Sequence, residues 1–248
     1  MKRAGIDVGS RSIKLVVLQN DKIIQSRKKM TSHDPIAECK TLLDGLSYDS
    51  IIATGYGRHL VKEYLKCGVV SEIKAFSIGA RYVRPQCSTV LDIGGQDTKV
   101  LTMTESGKLD RFEMNDKCAA GTGRFLEIMA TALGLSLSDF IVSAVNATKE
   151  TGINATCTVF AESEVISLIT QGVPRDEISR GIHRVVARRA ATLLQKFAPA
   201  GELLFAGGVA YNDCIRSMIE EVLGIPVFVP EDPQLVGAIG SALAFEKE

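Results

Sequence analysis

Short apolar runs separated by glycine-containing turns dominate the first half of the chain. The stretches GIDVGSRSIKLVVL (5–18) and VLDIGGQDTKVLTM (90–103) each predict a strand, a tight turn and a returning strand. Residues 21–29 predict a third strand, residues 36–46 have the apolar spacing of a helix, and residues 50–58 predict a strand that ends in a turn. This mixture of strands and helices is typical of an α/β fold.

Helical spacing dominates the second half of the chain. Residues 176–198 predict a long amphipathic helix, and residues 202–224 predict a buried strand (LLFA), a turn (GGVAYN) and a helix. Residues 225–230 then predict a strand, and residues 233–245 predict a closing helix. The inward face of the long helix is predicted to consist of Ile178, Ile182, Val185, Val186, Ala190, Leu193 and Phe197.

The two strand–turn–strand stretches are copies of one pattern. When Asp7 is aligned with Asp92, both copies contain an aspartate, an apolar residue, a turn glycine and then a lysine, Lys14 or Lys99, that leads into the next apolar run. Glycines in such turns permit positive φ and bring backbone N–H groups close to a ligand, so the repeat favours phosphate binding. Two ordinary hairpins are the structural alternative.

Composition and charge narrow the functional classes. The 248 residues suffice for two modest domains, and 46% hydrophobic with 23% charged residues indicate a buried core. Lysine plus arginine and aspartate plus glutamate both number 29, which argues against a dedicated nucleic-acid binder. The longest nearly apolar run, residues 236–245, is half of the roughly 20 residues that a membrane span needs, and Asp7 interrupts any signal-peptide core. We therefore expect a cytoplasmic protein that binds neither nucleic acid nor membrane.

The cysteines are scattered along the chain without a C-x-x-C pair, which argues against a zinc ribbon or a single-chain ferredoxin site. They are Cys39, Cys67, Cys87, Cys118, Cys157 and Cys214. Disulfides are not expected in a reducing cytoplasm, so each cysteine is by default a small buried apolar residue.

Cys118 and Cys157 differ from the other cysteines because each precedes an apolar helical pattern. Polar capping residues lie before both, so each thiol is predicted at or near a helix N-terminus, where the helix dipole favours a thiolate. A packed thiol, a nucleophile and a metal ligand are all open alternatives. A nucleophile would require a base, and the histidines, His33, His59 and His183, are distant in sequence. A [4Fe–4S] cluster generally takes four thiolates, which the two chains of a symmetric homodimer would supply together.

Two phosphate-type hairpins followed by a late Gly207-Gly208 turn resemble the actin, sugar-kinase and heat-shock chaperone ATPase superfamily. The late turn itself matches neither the dinucleotide fingerprint nor the P-loop. The resemblance implies two ribonuclease H-like α/β domains with ATP in the cleft between them. Domain I is then expected at 1–86, with the C-terminal helix at 235–248 packing back on it. Domain II, which carries the two unusual cysteines, is expected at 87–234.

The motifs LDIGGQDTKV, NDKCAAGTGRF and CTVFAESEVISLI together resemble a more specific family. This family contains the ATP-dependent activators of 2-hydroxyacyl-CoA dehydratases, the ATPase subunits of benzoyl-CoA reductases and the reductases of double-cubane cluster proteins. The resemblance covers nearly the whole chain and implies a homodimer in which Cys118 and Cys157 of each chain hold one bridging [4Fe–4S] cluster. ATP would rearrange the helices that follow these cysteines. An electron from a reductant such as ferredoxin or flavodoxin would then pass to an iron–sulfur dehydratase or reductase.

The resemblance also assigns nucleotide-binding roles to the residues of the two turns. Those implied for the phosphates of ATP or ADP are Ser10, Arg11, Ser12, Ile13, Lys14, Gly94 and Gly95. Asp7 and Asp92 would hold Mg²⁺ through water, as carboxylates at such positions often do in the superfamily. Turn capping is the structural alternative for both aspartates.

The catalytic and adenosine contacts are likewise implied by the resemblance. Gln96 would orient the water that attacks the γ-phosphate, and Asp97 would polarise it. Gly207 and Gly208 would allow the backbone to approach adenosine, and Gln234 is a further candidate for that contact.

Two other functions are open at this point. A sugar or small-molecule kinase of the same superfamily would have no need of Cys118 and Cys157, and a regulatory module would bind ATP without reducing a partner. Phe76 departs from the resembled family, which has a histidine at that position. The small residues after Cys118, including Gly121 and Gly123, are expected to let the helix start approach the cluster and the second subunit closely.

Overall fold

The computed structural model describes residues 1–154, 157–199 and 201–244. Its contacts define two compact units, each assembled from separate segments of the chain. Unit 1 comprises Met1–Val90, Leu101–Phe112 and Pro230–Glu248, and unit 2 comprises Leu91–Val100 and Glu113–Val229. The domain boundaries expected near residues 86 and 234 stay a prediction.

The first sheet contains the predicted N-terminal hairpin. Its strands are β1 (Lys2–Val8), β2 (Ser12–Gln19), β3 (Lys22–Met30), β4 (Ser50–Thr54) and β5 (Gly68–Val69), in the order β3-β2-β1-β4-β5. In the antiparallel pair of β1 and β2, Asp7 lies opposite Lys14. β4 runs parallel to β1, and Thr54 lies opposite Asp7 near the carboxyl ends of both strands. The hairpin turn and the turn after β4 therefore lie at the same edge of the sheet.

The second sheet contains the second copy of the repeat. Its strands are β6 (Thr89–Ile93), β7 (Thr98–Met103), β8 (Leu109–Asn115), β9 (Leu203–Ala206) and β10 (Val227–Phe228), in the order β10-β9-β6-β7-β8. β6 and β7 are buried along their whole lengths, so their polar residues Asp92 and Lys99 are buried together with the apolar ones. The strand predicted at 225–230 is limited to β10, which pairs in parallel with β9.

The helices of the described chain are α1 (Pro35–Leu43), α2 (Arg58–Leu65), α3 (Glu72–Val83), α4 (Gly123–Ala132), α5 (Leu137–Asn146), α6 (Thr158–Thr170), α7 (Arg175–Gln195), α8 (Asp213–Leu223) and α9 (Val236–Leu243). Helices α2, α3 and α5 were not predicted from the sequence, whereas the other helices match the predicted helical spacing with small shifts at their ends. α1 begins where the Asp34 side chain accepts a hydrogen bond from the Ala37 N–H at 3.0 Å. It ends before the residue 46 that the spacing predicted, because Gly45 takes a positive φ of 68°.

Helix α9 packs within unit 1 at backbone-contact distance. A Cβ on Gly240 would collide with the Ala75 carbonyl in α3, and a Cβ on Gly5 would collide with the Ala238 carbonyl. Phe76 is also buried here, at 4% exposure, with its ring next to Gly237. The absence of side chains at these glycines therefore fixes how closely α9 approaches β1 and α3.

The core of unit 2 is formed by large apolar side chains of its helices and central strands. Fully buried examples are Phe125, Met129, Phe140, Ile182 and Phe205. Over the described ranges, no single helix is long and apolar enough to cross a membrane. The pair α4 and α5, bent by 85°, meets the length and composition criteria only when both helices are taken together.

Candidate functional site

The turn between β1 and β2 (residues 9–11), the first phosphate-type turn, is held closed by backbone and side-chain hydrogen bonds. The Gly9 N–H donates to the Ser12 carbonyl at 3.2 Å, and the Thr31 hydroxyl donates to the Gly9 carbonyl at 2.8 Å. A Cβ on Gly9 would lie 2.9 Å from the same Ser12 carbonyl, so a larger residue does not fit without a shift of the backbone. The sequence therefore places a glycine where this tight turn requires one.

The predicted phosphate-binding residues of this turn differ in accessibility. Ser10, Arg11, Ser12 and Lys14 are half-buried. Ile13 is fully buried and lies opposite Val8 in the hairpin, so its side chain belongs to the core. Any contact from Ile13 to phosphate is therefore limited to its backbone.

Asp7 has the environment of a carboxylate that serves a cation. It is only 3% exposed, and its Oδ2 lies 3.4 Å from Lys14 Nζ. Its Oδ1 has no hydrogen-bond partner among the described residues. A Cβ on Gly55 would collide with Oδ1, and a Cβ on Gly237 would lie 3.3 Å from Oδ2. A buried carboxylate oxygen without a partner, bordered by glycines, suits a water-mediated Mg²⁺ ligand.

The turn between β6 and β7 (residues 94–97), the second phosphate-type turn, is flanked by a buried ion-pair network. Lys99 is 1% exposed, and its Nζ lies 3.1 Å from Asp92 Oδ2 and 2.9 Å from Asp97 Oδ2. The Gly94 N–H donates to the Asp97 carbonyl at 2.9 Å and closes the turn, while Gln96 is exposed at its tip. A buried ammonium requires such paired carboxylates. Lys99 therefore holds Asp92 and Asp97 together, whereas Lys14 in the first copy forms its ion pair with Asp7.

The late glycine turn packs against this network. Gly207 takes a positive φ of 85°, and a Cβ on it would collide with Asp92 Oδ1 and the Ile93 carbonyl. Gly208 is exposed and begins a 3-10 helix (Gly208–Tyr211) where the sequence predicted only a turn. The Asn212 side chain then accepts a hydrogen bond from the Ile215 N–H at 3.1 Å and begins α8.

The repeat extends to a glycine that sequence reasoning missed. Gly55 follows β4, the parallel neighbour of β1, and takes a φ of 86°, nearly the same as Gly207 after β9. Gly55 faces Asp7 and the Val8 carbonyl, just as Gly207 faces Asp92 and the Ile93 carbonyl. Each unit thus presents a buried aspartate against a positive-φ glycine. The signal in the sequence was a glycine directly after each apolar strand, ATG at 53–55 and AGG at 206–208.

Gln234 belongs to a different unit from the other residues predicted to contact adenosine. Its backbone N–H donates to Asp232 Oδ1 at 3.2 Å, and Asp232 Oδ2 lies 2.7 Å from Lys28 Nζ. Gln234 belongs to unit 1, whereas Gly207 and Gly208 belong to unit 2. No single unit therefore brings these three residues together, and their shared contact with adenosine stays a prediction.

Cys118 lies in a loop between β8 and α4. The helix N-cap is Thr122, and a turn closed by the Thr122 N–H and the Ala119 carbonyl at 3.0 Å separates it from Cys118. The prediction that Cys118 lies at or near a helix N-terminus therefore holds only in its looser form, because the loop turns once between Cys118 and the N-cap. The group that approaches its sulfur is instead the guanidinium of Arg189, whose Nη1 lies 3.8 Å from Sγ.

This loop is hydrogen-bonded directly to the second phosphate-type turn. The Gly123 N–H donates to the Gly94 carbonyl, and the Arg124 N–H donates to the Gly95 carbonyl, both at 2.9 Å. The Thr98 hydroxyl donates to the Gly121 carbonyl at 2.8 Å. The first amides of α4 therefore bond the second phosphate-type turn.

Gly123 packs closely against this turn. A Cβ on Gly123 would lie 3.1 Å from the Gly94 carbonyl and 3.5 Å from Gly95 Cα. Its small size therefore serves the contact with that turn, and the expected approach to a cluster and a second subunit stays a prediction. Gly121, with a φ of 105°, instead faces the aliphatic part of Arg189.

Cys157 is the N-cap residue of α6, as the sequence predicted. It is exposed and has an extended backbone with φ −97° and ψ 140°. The segment before it is tied to the helix, because the Asn154 backbone N–H and side-chain Nδ2 donate to Glu164 at 3.0–3.1 Å. Ala155 and Thr156, part of the predicted capping segment, lie outside the described residues.

The other thiols are packed, as expected. Burial raises the pKa of Cys39 to about 12, and it also raises the pKa of Cys67 and of Cys214. The Cys87 thiol is buried and donates to the Thr89 carbonyl at 3.2 Å. Among the described cysteines, Cys157 is an exposed residue and Cys118 is a half-buried one.

His183 does not serve as a base for a nucleophilic cysteine. Its ring is fully buried against Phe140, with ring centroids 4.5 Å apart. Nδ1 lies 2.7 Å from the Ser179 carbonyl, and desolvation lowers the pKa of His183 to about 4. The described part of the chain also contains no group of three or more His, Cys, Asp or Glu side chains placed to hold a metal ion. Two thiols of one chain therefore amount to an incomplete ligand set.

A duplicated hairpin with a buried aspartate, a positive-φ glycine and a late glycine turn is the arrangement expected from the sequence for the actin and sugar-kinase fold. The BadF/BadG/BcrA/BcrD ATPase family matches residues 4–244, and the chain belongs to this family. This confirms the family resemblance found in the sequence.

Relatives with descriptive names match this chain over almost its whole length. The chain is 39% identical to the (R)-2-hydroxyglutaryl-CoA dehydratase activating ATPase of Acidaminococcus fermentans, with 98% of this chain and 96% of that protein covered. Its structure resembles that of the 2-hydroxyisocaproyl-CoA dehydratase activator from Clostridium difficile with bound ADPNP, with a TM-score of 0.91, 37% identity and coverage of 98% and 93%. A ROK family glucokinase from Streptomyces griseus gives a TM-score of 0.59 at 16% identity, covering 98% of both chains, which is a likeness of fold alone. The predicted α/β fold class is confirmed.

Proposed function

We propose that the protein is an ATP-hydrolysing activator that delivers a low-potential electron to an iron–sulfur 2-hydroxyacyl-CoA dehydratase or a related reductase. The observation that carries this proposal is the hydrogen-bonded connection between the second phosphate-type turn and the Cys118 loop. A kinase has no use for such a connection, because its acceptor is not a thiol-bound group. The relatives whose names describe dehydratase activators support the same function.

The hydrolytic step converts ATP and water into ADP and phosphate. The first turn, with Lys14, would hold phosphate oxygens, and Asp7 and Asp92 would hold Mg²⁺ through water. Gln96 orients the attacking water from the exposed tip of the second turn, and Asp97 accepts its hydrogen bond. The ion pair with Lys99 holds the Asp97 carboxylate in place.

The remaining nucleotide contacts follow from backbone geometry. Gly94 and Gly95 present the second turn to the phosphates, while their carbonyls are engaged by the start of α4. Gly207, Gly208 and Gln234 are our candidates for adenosine. Gly207 and Gly208 suit this role because they carry no side chain that would keep the backbone away from the base.

The two accessible thiols fit half of a [4Fe–4S] ligand set. Cys118 lies beside a guanidinium, and Cys157 lies at the start of a helix, so each sulfur has a positive charge or a positive helix end nearby. A symmetric homodimer supplies four such sulfurs. Exposed Val159 and Phe160, next to Cys157, offer an apolar surface that a second subunit can cover. When bound, the cluster would supply one-electron transfer from a donor such as ferredoxin or flavodoxin to the partner enzyme.

Anaerobic purification with iron and sulfide analysis tests this proposal. We expect a brown dimer with about four iron atoms and about four sulfides per two chains. Cys118→Ala and Cys157→Ala should both lose the iron, whereas Cys67→Ala, a buried thiol, serves as the matched control and should retain it. A colourless wild-type protein after anaerobic reconstitution, or unchanged iron in Cys118→Ala, contradicts the proposal.

Activity assays separate the competing functions. The activator should release phosphate from ATP and support ATP-dependent reduction of a dehydratase or an artificial acceptor, without phosphorylating a panel of sugars. A phosphorylated sugar would identify a kinase. ATP binding without reduction of any acceptor would identify a regulatory module.

A further inference from the structure

Arg189 is placed to act on the sulfur of Cys118. It lies on α7, far along the chain from the Cys118 loop, and its Nη1 lies 3.8 Å from Cys118 Sγ and 3.2 Å from the Ala120 carbonyl. One guanidinium thus contacts both the thiol and the backbone two residues further on. The loop and α7 are thereby joined at the side chain that we propose as a cluster ligand.

The backbone of the loop is shaped around this arginine. Gly121 takes a φ of 105°, and a Cβ on it would lie 3.3 Å from Arg189 Cδ and 3.6 Å from Arg189 Cβ. The carbonyl of the same Gly121 accepts the Thr98 hydroxyl, which fixes the loop from its other side. A glycine in this conformation lets the loop pass directly over the arginine stem. The arginine side chain therefore packs against the loop backbone as well as lying near the thiol.

An N–H donor directed at a ligand sulfur changes the redox chemistry of an iron–sulfur group. Reduction adds one negative charge to the group, and a hydrogen bond or a fixed positive charge at the sulfur stabilises the more negative state. The guanidinium retains its positive charge at all relevant pH values, so it exerts this effect in both oxidation states. Removing it therefore makes the bound group harder to reduce.

We propose that Arg189 is a positioning residue that holds Cys118 Sγ and raises the reduction potential of the group bound there. This inference rests on the proposed function, because it requires an iron–sulfur cluster at Cys118. In each catalytic cycle one electron enters from the reductant and one leaves to the partner enzyme, and Arg189 gains or loses no proton in either step.

The test compares Arg189→Gln and Arg189→Lys with Arg188→Gln in the full-length, reconstituted protein. Arg188 is the neighbouring arginine on α7 and is exposed, so it controls for loss of one positive charge from the same helix. Iron content, thermal midpoint, midpoint potential and the electron paramagnetic resonance spectrum of the reduced protein are measured. We expect a more negative midpoint potential in Arg189→Gln, an intermediate value in Arg189→Lys, and wild-type behaviour in Arg188→Gln.

The possible outcomes separate the inference from the proposed function. Full iron content with an unchanged potential and spectrum in Arg189→Gln overturns the inference and leaves the activator function intact. A wild-type protein that binds no iron overturns both. If Arg189→Gln loses iron, Arg189→Lys decides: a shifted potential supports the inference, and a wild-type potential overturns it. If both variants lose iron and their thermal midpoints are unchanged, the result supports the role of Arg189 in holding Cys118 Sγ. If both lose iron and their thermal midpoints fall, the result overturns that role.

Discussion

Replacing His183 with leucine is expected to remove a large acid-sensitive contribution to stability. The imidazole is fully buried between α5 and α7, and its Nδ1 donates to the Ser179 carbonyl, since a carbonyl only accepts. Within the described chain, Nε2 has no hydrogen-bond partner. Charging this ring would bury an imidazolium close to Arg180, so desolvation and then the Arg180 charge keep the histidine neutral in the folded protein.

The magnitude follows from the difference between the folded and unfolded pKa. The pKa of His183 is lowered from 6.5 to about 4, so the unfolded chain binds a proton below pH 6.5 that the folded chain does not bind until about pH 4. The free energy of unfolding therefore falls as the pH drops through this window, by about 3 kcal/mol in full and by about 2 kcal/mol at pH 5. Above pH 7 the contribution is fully present.

Urea unfolding of wild type, His183→Leu and His59→Leu at pH 7.5 and pH 5 measures this effect. His59 is exposed, so its replacement removes a histidine without removing a buried one. Leucine at 183 cannot titrate, so the loss of unfolding free energy between the two pH values should be about 2 kcal/mol smaller in His183→Leu than in the other two proteins. Equal losses in all three proteins would refute the reasoning, whatever the leucine does to absolute stability.

Two further predictions concern the second phosphate-type turn. Lys99→Met removes the ammonium partner of the buried Asp92 carboxylate, so it should lower the free energy of unfolding by about 3–5 kcal/mol and abolish ATP hydrolysis. Asp97→Asn changes a more exposed carboxylate and should lower the free energy of unfolding by less. A urea midpoint equal to wild type in Lys99→Met would contradict the buried ion pair. Thr98→Val removes one hydrogen bond to the Gly121 carbonyl at a cost of about 1 kcal/mol and should reduce the effect of ATP on the rate at which a chelator removes iron; an undiminished ATP effect would show that Thr98 does not link the two sites.

The repeated hairpins could be predicted from sequence because their signals are local. An aspartate, a glycine and a returning apolar run lie within one turn of each other at Asp7 and again at Asp92. The long helix α7 was equally accessible, since its apolar face repeats at helical spacing over many turns. The same locality placed Cys157 correctly at a helix start.

The missed features depend on contacts between distant parts of the chain. Arg189 meets Cys118 across 71 positions, and Thr98 meets Gly121 across 23. Lys99 was visible as a repeated lysine, but its burial between two carboxylates depends on the packing of the second sheet. The turn between Cys118 and its helix could not be predicted, because a residue pattern does not show where the chain turns before a helix begins.

The hydrogen bonds from α4 to the Gly94 and Gly95 carbonyls couple nucleotide binding to the Cys118 loop, and such coupling acts in both directions. If a nucleotide state favours one arrangement of this turn, it favours the matching arrangement of the Cys118 loop, and the group held by Cys118 must then alter nucleotide affinity by the same factor. If Cys118 holds the cluster that we propose, the presence of the cluster and its oxidation state would each change nucleotide affinity. Nucleotide affinity measured on iron-free protein therefore describes only one corner of a four-state cycle.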